Sequence, residues 1–562
     1  MKKLRWQILV VVLTLIVVGI LLVTQRSTTL SIVLPQPASG GIYTEALVGS
    51  FGRLNPALDW TNPADRAVDS LIFSGMIKFN SRGEPQPDLA ESWGVSQDGM
   101  IYNLSLRANA LWEDGQPVTS DDVIFTLGLL RSQYSTYPAD ARAMWDEIQV
   151  NRLDEHTLQF VLPEPFAPFL DYLSFGVLPR HLLETLPADQ LVNTDFNLKP
   201  VGSGPYKFDR LTVENGQVTG VTLVVSENYY GQKPYIEQIV FRYFPTTAAA
   251  LDAYQQNDIL GISEITPDIL AAACADPNLN CYTSRLPRLA LVLFNLKSNE
   301  VPFFQDKNVR RALLLGLNRQ RMVDAALGGQ AVVADSPLLP GTWAYYGGSQ
   351  HVEYDPNAAE ALLTSASYTL PAGAAVRTKD GAPLAFTLLH PDDALHTRLA
   401  QWIQQDWASI GVQVTLQALP YASLLNDSLT PRAYQAALVD LDLSRSPDPD
   451  PYPFWHQSEA TGGQNYSQWD NRPASEYLEQ ARVIFDQNIR ARLYRNFQVV
   501  FNKDTPAVLL YYPVYTYGVD VRVNGVQLAP LFDLSDRFDT ILNWYLLTRR
   551  AAEETAQPTT SP

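Results

Sequence analysis

The residues of this chain that could carry out chemistry are scattered carboxylates and histidines. Two histidines, His390 and His396, flank one acidic pair, but their spacing matches no standard metal-ligand signature. Glycoside hydrolysis needs two carboxylates from separate elements that face each other across a bond, which adjacent residues do not do. We predict no catalytic group and no metal at the three adjacent acidic pairs: Glu113-Asp114, Asp121-Asp122 and Asp392-Asp393.

Motifs for activated nucleophiles and phosphate-binding loops are missing from the sequence. It contains no G-x-S-x-G elbow, no Walker loop and no G-x-G-x-x-G. The run Gly202-Ser203-Gly204-Pro205 precedes the strand-like Tyr206-Lys207-Phe208, whereas a phosphate-binding loop opens a helix. We therefore expect no cofactor and predict that the protein is not an enzyme.

Composition excludes several further classes of function. The 562 residues carry 59 acidic and 41 basic side chains, for a net charge of −18, which argues against a nucleic-acid partner. Two cysteines are too few for a cysteine-based zinc framework, and the six scattered histidines form no H-E-x-x-H motif, which makes a metalloenzyme an unfavoured class. A hydrophobic content of 46% predicts a folded chain, and a length of 562 residues predicts roughly three domains.

Aromatic side chains are abundant, with 11 Trp, 27 Tyr and 22 Phe. Aromatic residues with a polar atom suit clefts that close on small polar ligands, although core packing is the ordinary alternative for any one of them. Three clusters stand out: Trp343-Tyr345-Tyr346, Tyr452-Phe454-Trp455 with Trp469, and Tyr511-Tyr512-Tyr515-Tyr517.

These side chains must be positioned by a mixture of hairpins and helix–strand units. The turn residues of SRGEP (81–85) and EDGQP (113–117) predict hairpins. Thr119 and Asp122 are spaced as a capping box at the start of a helix. The stretch SRSPDPDPYPFWH (444–456) is predicted to contain no helix, because its prolines remove backbone donors. Further predicted elements are strands at 101–106, 221–225, 239–244, 289–294, 412–416 and 508–517, and helices at 306–317 and 399–410.

The N-terminus reads as a membrane anchor. Lys2, Lys3 and Arg5 precede an apolar run from Ile8 to Val23, which predicts an N-terminus inside the cell and an exported remainder. We predict an uncleaved anchor over 1–25, with a cleaved signal peptide as the alternative, and a tether over 26–41. The polar tail 550–562 is expected to be disordered.

The predicted export of the chain bears on the state of its two cysteines. Cys274 and Cys281 bracket a short turn-rich segment outside the reducing cytoplasm, so we predict a disulfide. Two unpaired buried thiols are the alternative.

A series of motifs resembles family 5 extracellular solute-binding proteins, the oligopeptide-, dipeptide- and nickel-binding receptors of ABC importers. The motifs run in the same order over nearly the whole exported chain. They are LNPALDW (54–60), LIFSGMIKFNSRGEPQPDLAESWGVSQDG (71–99), LWEDGQPVTSDDVIFTL (111–127), VGSGPYKF (201–208), ENYYGQKPYIEQIVFRYFP (227–245), FNLKSNEVPFFQDKNVRRALLLGLNRQRMV (294–323), YDP (354–356), DPDPYPFWHQ (448–457), GGQNYS (462–467), LYRNFQ (493–498) and DTPAVLLYYPVY (504–515).

The resemblance implies an α/β, two-lobed periplasmic-binding-protein-like fold of type II, of the large cluster C type, with mixed sheets. Lobe I would comprise 42–72, 201–285 and 515–549, and lobe II 286–514. An extra inserted domain would occupy 73–200.

In function, the resemblance implies capture and not conversion. A peptide or similar small solute would bind between two closing lobes and be delivered to the permease subunits of an ABC importer. The receptor would be a monomer outside the cytoplasm, tethered to the cell membrane by its N-terminal helix. A non-peptide receptor for a sugar, an anionic solute or a metal chelate is the alternative, as is a sensor or chaperone-like binder that delivers to no permease. A secreted glycoside-active enzyme is the alternative of another class.

The family pattern also implies three groups of ligand-binding residues. Arg445 takes the position where peptide-binding members carry an aspartate for the ligand's amino terminus, unless a gap of three residues restores that role to Asp442. An arginine there would favour an anionic or neutral ligand. The full set is Arg53, Leu54 and Asn55; Asp440, Leu441, Asp442, Arg445 and Trp455; and Tyr512 and Tyr515.

Overall fold

The computed structural model describes Trp6 and residues 11–20, 35–348, 351–444 and 447–550. Residues 39–546 form one compact unit. In the other unit, strand β1 (Pro35–Ala38) pairs antiparallel with strand β22 (Leu547–Arg550). Residues 11–20 are helical. Within the described part of the chain, no helix combines the length and apolarity needed to span a membrane. Much of the predicted anchor and the tail 551–562 lie outside the described residues.

The larger unit mixes strands and helices along its whole length. Its strands are β2 (Ile42–Val48), β3 (Ile77–Phe79), β4 (Pro85–Pro87), β5 (Ala90–Val95), β6 (Ile101–Leu106), β7 (Gln149–Arg152), β8 (Thr157–Val161), β9 (Tyr206–Glu214), β10 (Gln217–Val225), β11 (Gln238–Phe244), β12 (Gly261–Ile262), β13 (Leu279–Arg285), β14 (Arg288–Phe294), β15 (Ala331–Val333), β16 (Thr378–Lys379), β17 (Ala382–Pro383), β18 (Ala385–Pro391), β19 (Gln413–Leu419), β20 (Ala436–Asp442) and β21 (Ala507–Asp520).

Its helices are α1 (Pro63–Ile72), α2 (Ser120–Arg131), α3 (Ala139–Glu147), α4 (Arg180–Leu183), α5 (Thr247–Gln255), α6 (Pro267–Ala273), α7 (Lys307–Leu315), α8 (Arg319–Ala326), α9 (Pro356–Ser365), α10 (Ala394–Ser409), α11 (Tyr421–Ser423), α12 (Tyr452–Trp455), α13 (Arg472–Val483) and α14 (Gln487–Asp504). Short 3₁₀ segments are Ala167–Leu173, Ala188–Asn193, Asp195–Leu198, Pro302–Gln305, Gln457–Ala460, Leu534–Phe538 and Ile541–Asn543, and Leu424–Leu429 is a π-helix.

One mixed sheet of twelve strands organises the unit, in the order β19-β18-β20-β14-β21-β12-β2-β11-β10-β9, with β13 and β15 paired to β21. Strand β21 is long enough to belong to both ends of this sheet. Its N-terminal half pairs with β14, and its C-terminal half pairs with β13 and β12. The α/β architecture with mixed sheets that the sequence predicts is confirmed.

The chain crosses between the two halves of the sheet at two neighbouring points. Strands β13 and β14 are separated only by Leu286 and Pro287, and both pair with β21. The backbone N–H of Leu286 donates to the carbonyl of Pro513 at 2.8 Å. The link between β13 and β14 and the middle of β21 are thus two adjacent crossings. This geometry suits a hinge, because the two halves can move when only a few backbone dihedral angles change.

A separate four-stranded sheet, β5-β6-β8-β7, lies within residues 90–161. Before it, the predicted SRGEP turn joins β3 to β4. Gly83 in that turn has φ +78°, and a Cβ there would lie 2.4 Å from the carbonyl oxygen of Pro447. Only glycine therefore allows this hairpin to approach the loop that follows β20.

The local predictions are confirmed over most of the chain. The backbone N–H of Thr119 donates to Asp122 at 2.8 Å, as the capping box requires, and α2 begins at Ser120. The EDGQP turn closes with a bridge between Leu111 and Pro117. The predicted strands and helices all form, with bounds that shift by up to five residues at their ends.

The prediction that 444–456 contains no helix is wrong at one turn. Helix α12 begins at Tyr452, after Pro451 at its N-cap and with Pro453 at its second position. A proline is tolerated in the first turn, because the N–H that it lacks has no acceptor within the helix.

Cys274 and Cys281 are bonded, with their Cα atoms 5.9 Å apart. The bond joins the end of α6 to β13, close to the chain crossing.

Replacing both cysteines with serine is expected to lower the free energy of unfolding by about 2.5 kcal/mol, the chain entropy of so short a loop. Urea denaturation checks this value. Dithiothreitol should destabilise the parent protein by the same amount and leave the variant unchanged, and a stronger effect on the parent alone would contradict it.

Candidate functional site

A cleft is formed by segments that lie far apart in the sequence. One cavity of about 340 Å³ is bounded by residues of the 441–455 loop, by residues 337–342 and by the inserted segment around Asp171. A second cavity of about 350 Å³ shares Trp60, Asp442 and Ser444 with the first and extends to Pro287 at the chain crossing. The two cavities together form one cleft beside the hinge.

Asp448, which lines the cleft, belongs to a buried ion pair. Arg490, on α14, contacts both carboxylate oxygens of Asp448, at 2.7 Å for Nη2 and with a very short contact for Nη1. Arg490 and Asp448 are only 5% and 8% exposed. Burial acts to lower the pKa of Arg490, but the Asp448 carboxylate and Tyr494 outweigh it, so the pKa lies above its ordinary value.

Asp171 joins the inserted segment to this ion pair. Its Oδ2 accepts a hydrogen bond from the backbone N–H of Asp448 at 2.8 Å. Burial, and then the neighbouring charge of Asp448, raises the pKa of Asp171 well above its ordinary value. The contact therefore places a protonatable group between the two walls of the cleft.

A second ion pair lines the cleft wall. Arg482 donates to the Asp450 carboxylate at 2.6 Å from Nη2 and 2.9 Å from Nε. Its guanidinium carbon lies 3.8 Å from the ring centroid of Tyr452. The partly buried wall therefore combines the ring face of Tyr452 with the charged side chains of Arg482 and Asp450.

Charged groups also surround the hinge end of the cleft. Arg66 pairs with Asp533 at 2.7 Å, and Glu264 and Arg288 line the same cavity. Burial raises the pKa of Glu264. Aromatic and proline side chains make up much of the remaining wall, so the cleft offers apolar surface with a few charged anchors, the usual character of a ligand site.

Three of the residues predicted to bind ligand line the cleft. Leu441, Asp442 and Trp455 face the first cavity, and Asp442 faces both. The Asp442 carboxylate is exposed and accepts the N–H of Ser444 at 2.9 Å. The role of Arg445 stays a prediction, because this residue lies outside the described part of the chain.

The two tyrosines that were predicted to bind ligand are buried and donate hydrogen bonds to backbone carbonyls. Tyr512 is fully buried and donates to the carbonyl of Leu338, a cleft-lining residue, at 2.8 Å. Tyr515 donates to the carbonyl of Ser263 in a very short contact. Neither tyrosine is among the residues that line the cleft cavities.

The loop Arg53-Leu54-Asn55 lies away from the cleft cavities. Leu54 and Asn55 are fully buried, and the Asn55 amide donates to Asn197 at 2.9 Å. Arg53 donates from Nε to the carbonyl of Val192 at 2.8 Å. These contacts attach the loop to the inserted segment.

Asp440 belongs to a different cluster, with His396 and Asp393. Nδ1 of His396 lies 2.6 Å from Asp393 Oδ2, and Nε2 lies 3.7 Å from Asp440 Oδ2. Burial acts to lower the pKa of His396, but the two carboxylates outweigh it and raise it. Among the described residues no group of three or more histidine, cysteine or acidic side chains is placed to hold a metal ion.

Several cleft residues carry no signal of their own in the sequence. Trp60 stands inside the LNPALDW motif, but Asp171, Arg482 and Phe532 belong to none of the family-like motifs. They come from chain regions up to 361 positions apart, from 171 to 532. In the sequence, the signal that points towards this part of the site is the family resemblance, which implied Leu441, Asp442 and Trp455.

A family model described as bacterial extracellular solute-binding proteins, family 5 Middle, matches residues 84–464. The oligopeptide-binding protein AppA of Bacillus subtilis (strain 168) is 26% identical over 520 residues, which covers 91% of this chain and 92% of AppA. The dipeptide-binding protein of Escherichia coli (strain K12) is 26% identical over 504 residues, or 86% and 91% of the two chains. The nickel-binding periplasmic protein of Escherichia coli (strain K12) is 30% identical over 383 residues, or 66% and 70%.

Solved structures of solute-binding proteins match the fold of this chain. AppA from Bacillus subtilis in complex with a nonapeptide matches with a TM-score of 0.66 at 25% identity, covering 91% of this chain and all of AppA. HbpA2 from Haemophilus parasuis matches with a TM-score of 0.78 over 88% of this chain and 99% of its own, at 22% identity, and supports the fold alone.

Proposed function

Because this chain belongs to family 5 of the bacterial extracellular solute-binding proteins, we propose that it captures a peptide or similar small solute in its cleft and delivers it to an ABC importer permease. The family is one of receptors, not of enzymes, and we propose that the ligand leaves chemically unchanged. The observation that carries the proposal is a cleft beside the chain crossing, lined by the end of β20 and the loop after it, by Trp60 and by Asp533. AppA, which has this architecture, is a nonapeptide-binding relative.

The division into lobes is part of the same proposal. We take lobe I as 42–72, 201–285 and 515–549, the inserted domain as 73–200 and lobe II as 286–514. The pairing of β21 with β14 on one side and with β13 on the other supports a boundary near residues 286 and 513. In this division the hydrogen bond between Asp448 and Asp171 joins lobe II to the inserted domain, and opening about the boundary would break it.

The place of action is outside the cytoplasm, as for the family. We further propose that the segment 1–25 tethers a monomeric receptor to the cell membrane. The positive charges at Lys2, Lys3 and Arg5 and the apolar run that follows support this. A tether would keep the receptor close to its permease and raise the effective concentration.

Closure of the cleft is expected to become weaker as the pH rises. The pKa of Asp171 is raised when it is buried against Asp448, so the closed form binds a proton that an open, solvated Asp171 has already released near pH 4. The stabilisation of the closed form is present in full at pH values below the ordinary pKa of an aspartate. It is lost as the pH rises towards the raised pKa of Asp171.

Since one proton is linked, the loss in affinity is at most tenfold per pH unit. Isothermal titration of the ligand retained through purification, at pH 5, 6, 7 and 8, checks the slope. Asp171→Asn should flatten it. An equal slope in both proteins would contradict the assignment to Asp171.

The direct test of function is native mass spectrometry of residues 40–550 purified from the host. A ladder of peptide masses would support a sequence-tolerant peptide receptor. One sharp non-peptide mass would instead support a receptor for a sugar, an anionic solute or a metal chelate. Small-angle scattering before and after addition of the recovered ligand should record a smaller radius of gyration, and an unchanged radius would contradict capture by closure.

A further inference from the structure

A third cavity, of about 270 Å³, adjoins the cleft and shares Arg66, Phe532 and Asp533 with it. Its walls are one face of α1, the β3 strand, the loop 174–176 and the segment 532–539, and it reaches Pro447. We call it the Asp69 cavity.

Asp69 faces this cavity with an unsatisfied carboxyl group. The residue is 2% exposed, and neither of its oxygens has a hydrogen-bond partner of ordinary geometry among the described residues. Asp65, one turn earlier on α1, is by contrast satisfied by the N–H of Arg53 at 2.8 Å and the amide of Asn62 at 2.7 Å. A buried carboxyl without partners is costly, so its retention calls for a partner that is not part of the described chain.

The charge of the cavity indicates what that partner is. Acidic side chains outnumber basic ones along the walls: Asp59, Asp69, Asp88, Asp533, Asp536 and Asp539 against Arg66 and Lys78. Arg66 is already paired with Asp533, and Lys78 is exposed.

The acidic walls disfavour the charged form of these carboxyl groups. Burial, followed by the charges of Asp59 and Asp65, raises the pKa of Asp69 well above its ordinary value, although the nearby backbone N–H of Asn55 acts to lower it. Burial likewise raises the pKa of Asp536 to about 7. A cation entering the cavity would relieve this like-charge repulsion.

We propose that the Asp69 cavity is a subsite for a cationic organic group of the ligand, an ammonium or a guanidinium, paired with Asp69. The inference rests on the proposed function and names the class of ligand. The N–H donors of such a group match the two carboxylate oxygens of Asp69, which lack a hydrogen-bond partner of ordinary geometry among the described residues. A volume of 270 Å³ suits the end of one side chain, because pockets for whole drug-sized ligands measure about 300–1,000 Å³. A metal ion is less suited, since the described residues form no three-ligand group.

The test compares peptides that differ only in charge. Ala-Lys-Ala, Ala-Arg-Ala and the neutral norleucine analogue are titrated calorimetrically into the exported domain, and cadaverine serves as a cation without a peptide backbone. We expect the cationic peptides to bind at least tenfold more tightly than the neutral one. Asp69→Asn should abolish this preference while leaving the affinity for the neutral peptide within twofold. Asp189→Asn, the same change at an exposed site, is the control.

Folding is checked separately from binding. Removing an unpartnered buried carboxyl should leave the thermal midpoint of the free Asp69→Asn protein equal or higher, whereas a carboxyl with a hidden structural role would lower it. Asp69→Glu keeps the charge and should keep part of the cation preference.

The outcomes separate the inference from the proposed function. Equal affinity of the parent protein for cationic and neutral peptides overturns the inference and leaves the peptide receptor intact. Stabilisation of the parent by cadaverine, absent in Asp69→Asn, with no binding of any peptide, supports the cation subsite and overturns the peptide function. A preference that survives in Asp69→Asn, or no response to any probe, overturns the Asp69 assignment.

Discussion

Replacing Asp448 with alanine is expected to lower the free energy of unfolding by about 3–5 kcal/mol. The loss does not come from the attraction alone. Arg490 is 5% exposed and also donates to the carbonyl of Ala481 at 2.7 Å, so it cannot turn to solvent when its carboxylate is removed. The variant leaves an arginine charge buried without a counter-charge. Chemical denaturation at pH 7 measures the effect.

Two controls separate this buried pair from ordinary ion pairs. The double variant Asp448→Leu/Arg490→Met removes both charges and should recover most of the lost stability, since apolar replacements of buried pairs are often neutral. Asp470→Ala breaks the exposed contact with Lys297 at 3.1 Å and should cost at most about 1 kcal/mol. If the double variant were as unstable as Asp448→Ala, packing and not charge would account for the loss.

The second large effect is expected at Glu45, on β2. Its Oε1 accepts from Nη2 of Arg537 at 2.8 Å and from Nε at 3.1 Å, while Tyr43 donates to Oε2 at 2.8 Å. Glu45 and Arg537 are 0% and 2% exposed. Glu45→Gln leaves the Arg537 charge buried and unpaired, so the free energy of unfolding should fall by about 3–5 kcal/mol.

This variant should also weaken ligand binding. Arg537 donates to the carbonyl of Leu534 at 2.7 Å and so supports the segment that carries Phe532 and Asp533 into the cleft. Titration of the retained ligand under conditions where the variant is fully folded measures this second effect. Glu45→Met/Arg537→Met, with both charges removed, should recover stability. Full stability of Glu45→Gln would mean that Arg537 finds another partner and that its charge does not depend on Glu45.

The elements of the fold could be predicted because they depend on neighbouring residues. The capping box at Thr119 and Asp122 acts over three positions, and the alternation of 101–106 shows one face of a strand directly. The single-turn helix at Tyr452 escapes such reasoning, since proline counts against a helix unless its place in the first turn is known.

The candidate site could be predicted only in part. Leu441, Asp442 and Trp455 lie within one stretch of 15 residues, 441–455, and all three line the cleft. Leu54 and Asn55 match the family pattern equally well but are buried away from the cleft cavities. A linear motif identifies a type of loop and does not state which of its atoms faces the ligand.

The sequence by itself determined the class of protein: the order of its motifs, its mixed α/β elements and its lack of catalytic motifs. The tertiary structure alone decided which side chains meet. Asp171 and Asp448 are 277 positions apart, and Glu45 and Arg537 are 492 apart. Such pairs form only after the strand connections bring distant segments together, and their burial, which sets their charge states and their energetic weight, follows from that packing and not from local pattern.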